Sequence, residues 1–103
     1  MTYPGNYSEL SNSQKIIWLK TQRQGGIIGN FRNSLCAVYE QIRISCSKSE
    51  AQSCVYEDVF SSMKIPDVYN PFDFCLELHN LEYIKIQPTK SLHILSIIKE
   101  IDF

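Results

Sequence analysis

The chain has no surplus of positive charge: ten Lys and Arg stand against eleven Asp and Glu, for a net charge of −1. A module that lives on phosphate contacts takes most of its affinity from neutralising phosphates and shows a basic excess. That balance argues against DNA binding as the main activity. No apolar run approaches the roughly 18 residues that a bilayer span requires. The N-terminus shows no basic stretch followed by an apolar segment of the secretory kind. Neither a membrane helix nor a secretion signal is expected. Short Cys-x₂₋₄-Cys or His-x₃₋₅-His pairs, which place two zinc ligands on one turn, are absent, and so is a GxxxxGK[ST] phosphate loop. No metal, cofactor or ATPase site is expected.

Apolar residues make up 44% of the chain and charged residues 20%, which is enough apolar weight to fold and too much for disorder. With 103 residues there is room for one domain with a modest core. Cys36, Cys46, Cys54 and Cys75 fall mostly among apolar helical neighbours. They read as buried reduced thiols in a reducing compartment.

Residues 1–9, "MTYPGNYSE", read as an irregular lead-in. Ser11 and Gln14 then form a capping-box pattern that starts a first helix carrying Ile16, Ile17 and Leu19, stopped by Gly25-Gly26. "IIGNF" reads as a short extended piece. Leu35, Val38, Tyr39, Ile42 and Cys46 follow the spacing of one buried helical stripe. After the polar loop "SKSEAQS", the residues Val55, Tyr56, Val59, Phe60 and Met63 repeat that spacing until Pro66. Asn70 and Pro71 open a fourth helix, with Asp73 in its first turn.

Beyond Asn80 the period changes from 3.6 to 2. "YIKIQ" alternates, "PTKS" is turn chemistry, and "LHILSII" is β-branched and apolar. Three or four helices followed by a β-hairpin is the order of an α+β winged helix, spanning residues 10–103.

Four segments, "LSNSQKIIWL", "VYEQIRISCSKSE", "YEDVFSSMKI" and "FCLELHNLEYIKI", resemble the C-terminal winged-helix domain of eukaryotic replication initiators. These are AAA+ proteins related to the largest subunit of the origin recognition complex. The resemblance covers roughly residues 10–98. It implies that the chain is a domain of a larger nuclear protein. It also implies DNA contact through the helix before the hairpin and through the wing, but the residues of that helix do not carry this over. Where guanine edges and phosphates call for Arg or Lys, the chain has Phe72, Asp73, Leu76, Glu77 and His79. In character it is nearer to the yeast silencing paralogue of that subunit, whose winged helix self-associates.

A helical wheel divides the fourth helix into three arcs. Phe74, Cys75, Leu78 and Leu81 form a core stripe, Asp73, Glu77 and Asn80 a solvated arc, and Phe72, Leu76 and His79 an apolar outer strip. An apolar strip on a reading helix suggests a protein partner; alternatively, Tyr3 and Tyr7 of the lead-in cover it. The expected function is therefore homodimerisation within a nuclear chromatin-silencing protein, with other chromatin proteins as further partners. The candidate contacts are Phe72, Leu76 and His79, together with Leu92 and Ile94 if the last strand presents a free edge. The competing reading is a DNA-binding winged helix that uses Lys85, Lys90, Lys15, Lys20 and Arg23. Catalysis is not expected. Cys75 and His79 stand one turn apart without a third orienting group, Gly25, Gly26 and Gly29 follow a helix and lack the Lys-Ser/Thr of a phosphate loop, and the Glu57-Asp58 pair reads as a solvated face.

Overall fold

The computed structural model describes residues 6–22, 26–61 and 70–103, with the backbone alone for 26–30. A 3-10 turn over Tyr7–Glu9 leads into α1 (Asn12–Thr21) and the long α2 (Gly26–Ser47). Strand β1 (Ser53–Val55), the short α3 (Tyr56–Phe60) and α4 (Pro71–Asn80) follow, then β2 (Ile84–Pro88) and β3 (His93–Ile97). The strands form an antiparallel sheet in the order β1-β3-β2. The fold is α+β, with the helix order and hairpin of a winged helix, as the sequence suggested.

The local signals explain the helix ends. Ser11 and Gln14 make the reciprocal capping box, and the Asn70 side chain accepts from the Phe72 amide with Pro71 in the first turn. Helix α4 is closed by Glu82 in the left-handed region at φ 68°, which lets the Tyr83 amide donate to the Leu78 carbonyl at 3.0 Å.

Leu35, Val38, Tyr39, Ile42 and Cys46 of α2 are all buried, and so are Phe74, Cys75, Leu78 and Leu81 of α4. Leu95 and Ile84 close the core from the sheet. The segment after Ile97 folds back over the domain. The Ile98 amide donates to the Tyr83 carbonyl at 2.9 Å, and Tyr39 donates its hydroxyl to the Lys99 carbonyl at 3.0 Å.

Several local expectations are corrected. "IIGNF" is not extended, because α2 already begins at Gly26; the buried Phe31 stands four residues before Leu35 and extends its stripe, and packing overrides the weak propensity of Ile and Gly. In α1 the buried face is Lys15 and Leu19, while Ile17 stands 62% exposed. Val55 ends β1 rather than beginning a long third helix, and Met63 and Pro66 lie outside the described residues.

Candidate interaction surface on helix α4

In the second arc of α4, Asn80 is exposed and Asp73 partly so, but Glu77 is not solvated. Glu77 is only 3% exposed, with Lys15 Nζ 3.4 Å from its carboxylate and the Tyr7 hydroxyl donating to the same oxygen. The Lys15 ammonium also sits 5.0 Å from the centre of the Tyr7 ring. One turn further on, Asn12 Nδ2 donates to the Asn80 carbonyl at 2.9 Å. The lead-in and α1 therefore cover this side of α4. Tyr7 does act as a cover, but over Glu77; Tyr3 lies outside the described residues.

The third arc splits in two. Phe72 is half-buried and packs edge-on to Tyr56 of α3, with ring centres 4.9 Å apart, and beside His93 of β3 at 4.8 Å. Leu76, one turn along, is 44% exposed. His79 is exposed, with its Nδ1 3.3 Å from the Ile84 carbonyl. Between the core stripe and the α1 cover, the open part of α4 is thus a narrow strip centred on Leu76.

Asp58 is exposed and Glu57 partly so, but Glu57 is not a free surface acid. Its carboxylate accepts from the His93 amide at 2.7 Å and lies 2.9 Å from His93 Nδ1, which ties α3 to β3. That hydrogen bond from His93 holds the Glu57 carboxyl below the usual carboxylate range. It also fixes the imidazole against Phe72. Burial pushes the neighbouring Tyr56 hydroxyl up to about 12, so the ring is an uncharged wall. Nothing in the residue pattern pointed to this bridge, because its two ends lie 36 positions apart.

Leu92 and Ile94 do not join the α4 strip. Side chains alternate along β3, and His93 turns toward Phe72 and Tyr56. Ile94 therefore leaves on the other side of the sheet, and Leu92, which precedes the strand, is 39% exposed. Nor does β3 offer a free edge. It is the central strand, paired with β1 across Ser53–Val55 and with β2 across Ile84–Pro88. Pairing of two copies through β3 is excluded over these residues, since the ladder is already filled.

The basic residues are scattered. Lys15 is buried against Glu77 and cannot meet a phosphate. Lys85 and Lys90 are exposed on the hairpin, Lys20 is exposed near the end of α1, and Arg23 lies outside the described residues. Cys75 is fully buried in the core, and that burial pushes its thiol up to about 12. Among the described residues no group of His, Cys, Asp and Glu could hold a metal ion, and no helix is long and apolar enough to cross a membrane.

Comparison with family models, with curated proteins and with solved structures returned no match for this chain.

Proposed function

We propose that this winged helix is a non-catalytic interaction module that self-associates through the Leu76 strip of α4, within a nuclear chromatin-silencing protein related to replication initiators. The observation that carries the reading is Leu76, which is 44% exposed at the middle of a helix without Lys or Arg. Charge favours a second copy as the occupant. Of the two acids on α4, Glu77 is already neutralised by Lys15, so a facing copy brings only Asp73 as a like charge. A two-fold arrangement uses one small strip twice, with Phe72 as its half-buried shoulder. The nuclear silencing context rests on the four segments that resemble the initiator winged helix.

Leu76→Asp tests the proposal. Loss of an anchor at the centre of an interface costs about 2 kcal/mol or more, roughly a thirtyfold loss of affinity. Sedimentation should show reversible dimers for the wild type and monomers for the variant. Circular dichroism of the two should coincide, because an acid at an exposed position is cheap in solvent. A variant that still dimerises places the interface elsewhere.

The DNA-binding reading draws on Lys85 and Lys90, the two exposed cations of the hairpin. Two or three phosphate contacts give a log–log salt slope of about −2 to −3. Titration with duplex DNA should accordingly show weak binding, indifferent to sequence. A steep slope with sequence preference at physiological salt overturns the interaction-module reading.

A further inference from the structure

The sulfurs of Cys46, at the end of α2, and Cys54, in the middle of β1, lie 3.7 Å apart. Both are free thiols. A disulfide holds its sulfurs about 2.0 Å apart, so the pair is within a small side-chain adjustment of a bond. The arrangement is a product of the fold. The α2 stripe turns Cys46 inward, and β1 registers Cys54 opposite Leu95. The Leu95 carbonyl lies 3.5 Å from Cys46 Sγ, which donates to it. A cavity of about 430 Å³ has Cys46 and Tyr39 of α2, Gln52, Ile97 and Glu100 in its wall.

We propose that Cys46 and Cys54 form a reversible redox pair, closed to an intramolecular disulfide by hydrogen peroxide that enters through this cavity. The Cys46 thiolate attacks the peroxide O–O bond, taking one oxygen as a sulfenic acid and releasing the other as water once protonated. The Cys54 sulfur then attacks the Cys46 sulfur, the S–O bond breaks, and a second water leaves. Two thiols and one hydrogen peroxide give one disulfide; sulfur loses two electrons and the peroxide oxygens gain them. Cys46 attacks first because it, and not Cys54, lines the cavity. Burial raises both thiols, Cys54 to about 12, and the hydrogen bond with Cys54 draws Cys46 part of the way back. Both are protonated at neutral pH, so closure is slow there. It should quicken about tenfold per pH unit while the thiolate remains the minor form.

The bond ties the end of α2 to β1 across a short loop and should raise the melting temperature by roughly 5–15 °C. To test this, the intact chain is treated with hydrogen peroxide, alkylated under denaturing conditions and digested with trypsin. Lys48 lies between the two cysteines, so a surviving bond appears as a linked pair of peptides. The expected result is loss of two hydrogens, linkage of Cys46 to Cys54 alone, Cys36 and Cys75 fully alkylated, and reversal of mass and melting shift by dithiothreitol. Cys54→Ser should fold, bind no partner sulfur, and show no peroxide-dependent rise in melting temperature. Oxygen addition without linkage, linkage to Cys36 or Cys75, a bond between chains, or an unchanged melting temperature after closure each overturns the proposal.

Discussion

Replacing Lys15 by alanine is expected to cost about 3–5 kcal/mol of folding stability, the range for removing one partner of a buried ion pair. The side chains of Lys15 and Glu77 are only 9% and 4% exposed. With the ammonium gone, the Glu77 carboxylate keeps the Tyr7 hydroxyl as a donor but loses its counter-charge while still out of water. The loss comes from the charge left behind and not from the pair itself, whose desolvation offsets much of its attraction. A second variant separates the two contributions. Lys15→Met with Glu77→Gln retains the volume and removes both charges, so it should lose markedly less than the single substitutions added together. Urea unfolding of the wild type, Lys15→Met, Glu77→Gln and the double variant measures this coupling. If Lys15→Ala loses less than about 1 kcal/mol, Glu77 finds water or another donor, and the pair is a surface contact in effect.

This pair also marks where the sequence stops being readable. A helical wheel reports which side chains share an arc, and it placed Phe74, Cys75, Leu78 and Leu81 correctly because they face the body of their own domain. The wheel is silent about which arc a distant segment will cover. Glu77 therefore read as solvated, although Lys15 and Tyr7, 62 and 70 positions away, close over it (77 − 15 and 77 − 7). Strand β1 was missed for a related reason. Its three residues, Ser-Cys-Val, carry no period of their own and are held by pairing with Ser96, Leu95 and Ile94. Once β1 is present, β3 becomes central, which removes the free edge that made Leu92 and Ile94 attractive. The hairpin, the capping box at Ser11 and the Asn70–Pro71 start were legible because each is fixed by neighbours within a few residues. Leu76 was legible as an outer position. The nest of Tyr56, Glu57 and His93 around Phe72 was not, since it joins three elements across the chain.

Phe31→Ala should lower stability by about 3–5 kcal/mol, the usual range for deleting a buried aromatic ring. Phe31 is fully buried on α2 and stands at the junction of the domain with its N-terminal cover. Its ring centre lies 5.1 Å from Tyr7, 6.4 Å from Trp18 and 5.7 Å from Phe74. One ring thus touches the lead-in, α1 and α4 together, and the space it vacates cannot be refilled by moving any one of them. A small domain has only about 5–15 kcal/mol in hand, and each kcal/mol moves its melting point by about 4–8 °C. A drop on the order of 15–30 °C is expected. The single tryptophan, Trp18, is a built-in reporter of the junction, and its emission should shift to the red in the variant as its packing loosens. The Glu77 contacts from Lys15 and Tyr7 bind α1 and the lead-in to α4, so the fluorescence and circular-dichroism melts of the wild type should coincide in one transition. A fluorescence transition well below the circular-dichroism melt would mean that residues 6–22 undock as a separate unit. A stability loss under about 1.5 kcal/mol in Phe31→Ala would mean that the neighbouring rings collapse into the vacated space, and that Phe31 is not the joint it is taken to be.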